Sequence, residues 1–238
     1  MDIALVCESV IEDLSWKMRW IESNPDSSLT WGEYISGDSF ISKAKRYGIF
    51  HEKARILEVG SGYGRLLSSM LSMKVAFEKF TGLDISEQNI VALRQKFADE
   101  SRVDFVRGDA ESAFLSQHYT AVVSSLTLKH FYPTFESGLA NISNYVTRDG
   151  VFFFDLLERK SNQMTKLVKV AVTRPRSLRD IARNGGVLDA DGRGYIRSYG
   201  RNEVASIMRR IGFGRVTFDD VLHDTGRKRL LVIASRVS

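Results

Sequence analysis

The sequence predicts an α/β chain: a mostly parallel sheet, helices on both faces, and an antiparallel pair of strands at the C-terminal end. Three observations predict it. A short apolar, β-branched run, Arg55 to Val59, enters a turn containing Gly60, Gly62 and Gly64, and Leu66, Leu67, Met70 and Leu71 then recur at helical spacing. Further apolar runs alternate with helical periodicity as far as residue 157, and such alternation implies right-handed crossovers between parallel strands. Finally, the runs Val216–Leu222 and Arg229–Ala234 are joined by six residues, too few for the crossover that parallel neighbours need, so this pair is expected to be antiparallel.

Ahead of the first strand, Ser9 to Glu22 reads as a helix, with Ser9 and Glu12 as a capping box and Val10, Ile11, Leu14, Met18 and Ile21 on one face. N-P-D-S-S (24–28) stops it. Residues 29–41 are rich in aromatics and glycine without clear periodicity, and Trp31 and Tyr34 there are either walls of a crevice or packing between this helix and the sheet. Ser42 to Phe50 is expected to be a short helix. Strand two is read over 80–85, strand three over 103–107 and strand four over 120–125. A helix starting at Ser86 carries Ile90, Leu93 and Phe97; a second carries Phe135, Leu139, Ile142 and Val146. Asp149-Gly150 turns the chain into strand five, 151–157, and a helix over 202–211 is stopped by Gly212.

This organisation divides the chain into an N-terminal helical cap, 1–50, and a core, 51–238, with 158–200 an insertion that the core does not require. The insertion contains a basic stretch, T-R-P-R-S-L-R-D-I-A-R (173–183), and an extended segment around Tyr195. It is expected to form a lid over a substrate, with Arg174 and Arg176 gripping phosphate or carboxylate. The competing reading of these arginines is solvent-facing helix charge.

Composition narrows the class. A 43% hydrophobic and 26% charged chain of 238 residues suits one large globular domain. The single cysteine, Cys7, excludes an intramolecular disulfide and a cysteine-only metal cage. No apolar run approaches the ~20 residues of a membrane span, and the acidic N-terminus lacks a signal-peptide pattern. A cytoplasmic protein with no membrane partner is expected; oligomeric state is not legible. Residues 159–238 hold 18 Lys and Arg against 7 Asp and Glu, whereas residues 1–158 are net acidic. A basic C-terminal third implies either a phosphorylated or nucleic-acid partner, or an arginine-rich solvated surface.

The glycine turn points to chemistry. Glycine is needed where the backbone takes positive φ or lies against a ligand, and a strand-to-helix turn is expected to aim backbone N–H groups into one crevice. The spacing G-S-G-Y-G differs from the dinucleotide fingerprint, and Glu58 stands two residues before the first glycine. A carboxylate there repels a pyrophosphate and suits a cationic ligand. Asp84, 20 residues after Gly64, ends strand two, where a carboxylate accepts ribose hydroxyls. Asp109 ends strand three, placed to accept from the exocyclic amine of adenine. Either aspartate alone also reads as a cap or turn residue.

E-V-G-S-G-Y-G, Asp84, Asp109, the closing hairpin and strand four with its continuation, V-V-S-S-L-T-L-K-H-F, together resemble the class I S-adenosylmethionine (SAM) methyltransferases of the small-molecule type. The resemblance covers about residues 54–236 and implies a Rossmann-like seven-stranded sheet with SAM as cofactor. It implies cofactor contacts from Glu58, Gly60, Ser61, Gly62, Gly64, Asp84, Ile85, Asp109, Ala110 and Ser125. Residues just after strand four then face the acceptor. His130 becomes the candidate general base, its ordinary pKa near 6.5 suiting proton transfer, or else only shapes its loop. Lys129 either neutralises an acidic acceptor or is a surface lysine. Trp31, Tyr34, Arg174, Arg176 and Tyr195 are further acceptor candidates; no metal site is expected. The expected function is methyl transfer to oxygen or nitrogen of a small molecule, such as a sugar or phosphorylated metabolite. The alternatives are a nucleic-acid methyltransferase, against which strand four ends S-S-L-T rather than N/D-P-P-Y/F, and a SAM-binding protein without catalysis. An NAD-dependent dehydrogenase fits least, because of the glycine spacing and the hairpin.

Overall fold

The computed structural model describes residues 36–131, 134–159, 198–222 and 228–236. Its strands are β1 (Arg55–Val59), β2 (Lys79–Asp84), β3 (Val103–Arg107), β4 (Tyr119–Ser124), β5 (Val146–Glu158), β6 (Ser198–Tyr199), β7 (Arg215–Leu222) and β8 (Lys228–Ser235). The helices are α1 (Gly37–Arg46), α2 (Arg65–Ser72), α3 (Glu87–Lys96), α4 (Phe135–Ser143) and α5 (Arg201–Arg210). Seven strands form one path in the order β3-β2-β1-β4-β5-β8-β7, and short β6 pairs with the end of β5. β8 lies antiparallel to both β5 and β7, while β1 to β5 run parallel. The C-terminal pair is therefore antiparallel, as its short connection requires, and β8 is the strand that reverses direction.

Both faces of this sheet are covered, which is why its central strands are apolar runs rather than alternating ones. Phe152 and Phe154 of β5 pack with α4 and α5 residues such as Leu139, Val204 and Met208. Phe153 faces the other way, into a cluster with Phe40 and Ile41 of α1, Leu66, Leu67 and Met70 of α2, and Ile90 of α3. The rings of Phe40 and Phe153 meet edge to face at 5.0 Å. Burying three consecutive phenylalanines, each contributing roughly 2–3 kcal/mol, makes β5 the strand that joins the two half-cores.

Three boundaries differ from expectation, one of them at Val146, read as part of the helix that begins at Phe135 but found as the first residue of β5 after that helix ends at Ser143. The helix expected over 42–50 starts at Gly37, inside the stretch without clear periodicity, because Ser36 caps it: its Oγ accepts from Ser39 N–H at 3.0 Å. Gly37 sits in a helix because α1 presses on α2; an added Cβ would lie 2.2 Å from Ser69 Oγ and 2.9 Å from Arg65 O. Asp149-Gly150 lies within β5, which starts at Val146, because Val146 already pairs with Tyr119 before the register shifts toward Ala121. Gly212, at φ +99°, stops α5 as expected, with Phe213 N–H donating to Met208 O at 2.9 Å. The helix read at 9–22, the stretch bearing Trp31 and Tyr34, and residues 160–197 of the insertion lie outside the described residues.

Candidate functional site

The site lies at the carboxyl ends of β1, β2 and β4, where open α/β sheets hold ligands. Gly60, Gly62 and Gly64 all take positive φ, at 76°, 53° and 81°. At Gly60 there is also no room: an added Cβ would meet the Thr127 side chain at 2.2 Å, so the turn after β1 and the loop after β4 touch there. Thr127 Oγ1 reaches Gly60 O at 3.4 Å, and Ser124 Oγ donates to Val59 O at 2.9 Å. Gly82 of β2 leaves space for Ser61, whose Oγ would lie 2.6 Å from a Cβ there.

The expectation that the turn aims its N–H groups into the crevice is corrected. Gly60 and Ser61 N–H donate to Leu83 O at 2.8 and 3.2 Å, Gly62 N–H donates to Asp84 Oδ2 at 2.7 Å, and Gly64 N–H donates to Ser61 O at 2.9 Å. These four amides are taken up by the end of β2 and by the turn itself, so the turn is no nest for a phosphate. What it encloses instead is acid. Glu58 is 3% exposed, and its Oε2 has no hydrogen-bond partner. Burial, with a smaller contribution from the Asp84 charge, pushes its carboxyl up to about 8 against the opposing pull of Arg65. A buried carboxylate oxygen with no donor costs free energy until a cation or donor reaches it.

Asp84 is also buried. Its Oδ1 accepts from Ser86 N–H at 2.9 Å and from Asn89 Nδ2 at 3.3 Å, with Oδ2 held by Gly62. Burial raises its pKa, and these donors oppose the rise. Each oxygen has two lone pairs, so the carboxylate retains acceptor capacity while fixed in orientation. Ile85 follows it, partly buried. Asp109 shapes the turn after β3, its Oδ1 accepting from Glu111 N–H at 3.0 Å, and Ala110 O accepts from Asn141 Nδ2 at 2.9 Å. Both reach the same sheet end, and both are partly exposed.

After β4 the chain bends sharply. Ser125 is buried, its Oγ without a hydrogen-bond partner. Leu126 takes φ +65°, a conformation costing a β-carbon residue about 1–2 kcal/mol, and its N–H donates to Asp155 Oδ1 at 2.8 Å. Asp155 is fully buried and pairs through Oδ2 with Arg229 Nε. A single 3₁₀ turn, Leu128–His130, follows. The alternative of a surface position for Lys129 is overturned: it is 5% exposed. His130 keeps some exposed surface, yet its Nδ1 is enclosed, and burial followed by the Lys129 and Arg229 charges holds the imidazole well below its usual pKa. Arg174, Arg176 and Tyr195 lie outside the described residues, with Trp31 and Tyr34. Among the described residues no group of His, Cys, Asp and Glu could hold a metal, and no helix is long and apolar enough to cross a membrane.

Asn89, Asp155 and Arg229 had no motif to announce them, and Thr127 stood within V-V-S-S-L-T-L-K-H-F without a role of its own. Gly82 did carry a signal, as a glycine inside a strand.

Residues 57–152 match the family described as Methyltransferase domain. Ribosomal RNA small subunit methyltransferase A of Prochlorococcus marinus is 34% identical over 85 residues, covering 36% of this chain and 30% of the relative. Malonyl-[acyl-carrier protein] O-methyltransferase of Chlorobium luteolum is 32% identical over 117 residues, 48% of this chain and 44% of the relative. The chain thus spans less than half the length of these curated relatives. Among solved structures, 1,6-didemethyltoxoflavin-N1-methyltransferase of Burkholderia thailandensis, with 1,6-didemethyltoxoflavin and S-adenosylhomocysteine bound, superposes with a TM-score of 0.68 at 17% identity, over 95% of this chain and 90% of that one. Residues 57–152 thus match a methyltransferase domain, and the fold that carries them is that of the class I SAM-dependent methyltransferases.

Proposed function

We propose that this chain binds SAM and transfers its methyl group to an oxygen or nitrogen of a small molecule. The observation that carries the reading is the unpartnered Glu58 Oε2, buried beside a second carboxylate in a turn whose amides are already bonded. Such a crevice suits a cation bearing a nucleoside and disfavours a pyrophosphate. Glu58 would face the methionine ammonium, Asp84 the ribose hydroxyls, with Ile85, Asp109 and Ala110 around the adenine and Ser125 at the acceptor end. Gly60, Ser61, Gly62 and Gly64 leave the backbone bare where the cofactor lies. SAM when bound supplies a methyl group already activated by its sulfonium, so the protein's main task is alignment, a contribution of about 7–11 kcal/mol.

His130 would accept the proton of an acceptor hydroxyl. Its lowered pKa keeps the imidazole neutral at pH 7, ready to accept, though as a weaker base than an ordinary histidine. Calorimetry with S-adenosylhomocysteine should show a single saturable site, and its absence ends the proposal. His130→Gln should lower turnover by about 10²–10⁴-fold with S-adenosylhomocysteine affinity unchanged; an unaltered rate removes it as the base.

A second reading, a nucleic-acid acceptor, draws support from the basic C-terminal third and from the name of the Prochlorococcus relative. A salt-sensitive gel shift with structured RNA would favour it over the small-molecule reading.

A further inference from the structure

The turn after β3 is held by α4, through side chains that the cofactor reading does not use. Asn141 Nδ2 donates to Ala110 O at 2.9 Å and to Ala113 O at 3.2 Å. Two carbonyl acceptors fix which way the amide points, since only its nitrogen carries protons. Tyr145 OH also donates to Ala113 O, at 2.7 Å, and accepts from Leu115 N–H at 3.1 Å. α4 lies this close because residue 138 is glycine: an added Cβ would stand 3.1 Å from Glu111 Cγ and 2.7 Å from the Phe131 ring. Elsewhere a glycine inside a helix is unfavourable.

The bond at Ala110 reaches beyond the turn itself. The C=O and N–H of one planar peptide point in opposite directions. The carbonyl of the Ala110–Glu111 peptide accepts from Asn141, and the N–H of the same peptide donates to Asp109 Oδ1 at 3.0 Å. Rotating that peptide to break one bond breaks the other. Asp109 O accepts from Ala113 N–H at 2.6 Å, and Ala113 O is the second carbonyl that Asn141 holds. Asn141 is thus coupled to Asp109 along two routes.

Resting on the reading of Asp109 as the partner of the adenine amine, we infer that Asn141 sets the nucleobase specificity of the methyl-donor site: by holding the Ala110–Glu111 peptide it orients the Asp109 carboxylate toward a 6-amino purine and against a 6-oxo purine. A 6-oxo purine carries an oxygen in place of the amine and a proton on N1. A carboxylate free to turn would reach that proton, whereas one held in place meets a second acceptor. Asp109 is the residue that touches the base, Asn141 is a positioning residue acting through it, and Tyr145 supports the turn.

The test is calorimetry on the whole chain with S-adenosylhomocysteine and with S-inosylhomocysteine, its 6-oxo counterpart. The wild type should prefer S-adenosylhomocysteine by about tenfold or more. Asn141→Leu, similar in size and without donors, should lower that preference by about threefold or more. Should it fail to fold, Asn141→Ala takes its place, with the same fall expected. Tyr145→Phe should lower the melting temperature yet leave the preference within about twofold, because Ala113 O keeps its bond to Asn141. Asp109→Ala should lose most of the preference, and adding Asn141→Leu to it should change the preference no further. An unchanged preference in Asn141→Leu, an equal loss in Tyr145→Phe, or a further loss in the double variant overturns the inference. A wild type that binds both ligands alike overturns it too and leaves the cofactor reading standing, whereas a wild type that binds neither overturns the cofactor reading and the inference with it.

Discussion

The two ends of the proposed pocket are built in opposite ways. At the donor end, the fixing bonds join residues close in the chain: Ser86 and Asn89 to Asp84, two and five residues away, and Gly62 to Asp84 across 22. At the acceptor end, Leu126 is held by Asp155 across 29 residues, and Asp155 by Arg229 across 74. The donor end is a local device, a strand, a glycine turn and a helix cap. The acceptor end exists only once β8 has inserted beside β5. A scaffold built this way can keep one cofactor site while its acceptor site changes with distant residues.

The largest break in that comparison should come from Asp155→Ala, which leaves Arg229 buried and unpaired. Urea unfolding should show a loss of about 3–5 kcal/mol. Asp155→Leu combined with Arg229→Met should recover most of it; a double variant no better than the single would show that Asp155 acts otherwise than by pairing.

Next in size is a pH effect confined to the donor end. Glu58 has a folded pKa of about 8 against an ordinary 4.5, so the folded state holds the proton more tightly than the unfolded chain. Its contribution is present in full below pH 4.5 and is lost progressively as pH rises to about 8, a few kcal/mol in all. Asp84 shifts in the same direction, and His130, held low, opposes it at acid pH. The difference between wild type and Glu58→Gln isolates the Glu58 contribution. Parallel stability curves for the two from pH 5 to 8 would show that Glu58 is ionised in the folded protein without a ligand.

Asp84→Asn sharpens the contrast at the level of binding. It should lower S-adenosylhomocysteine affinity by about tenfold to a hundredfold, roughly 1.4–2.8 kcal/mol, while leaving the fold intact. Retained cofactor affinity would remove Asp84 from the site. The smallest effect is expected where the two ends touch. Thr127→Ser keeps the hydroxyl facing Gly60 O and removes a methyl, and should cost under about 1 kcal/mol in stability. A larger loss would show that this contact sets the pocket's geometry.

Several elements were legible because their causes are local. Gly60, Gly62 and Gly64 announced a positive-φ turn, Ser86 a helix start, Gly212 a helix end, and a six-residue connection the antiparallel pair. The start of α1 was obscured because its glycine, unfavourable in an isolated helix, is there to let α2 approach. Lys129 was open to reading as a surface residue for a similar reason, since nothing near it in the chain says that the bend after β4 is covered.

The order of residues alone determined the parallel core, the bare turn after β1 and the two acids beside it, because strand, turn and cap preferences act over a few positions. Only the folded sheet decided that the turn's amides are bonded within the protein, and that Asp155 and Arg229 meet beneath Leu126. Those pairings depend on which strands become neighbours, and that is set by the burial of both sheet faces rather than by any short run of residues.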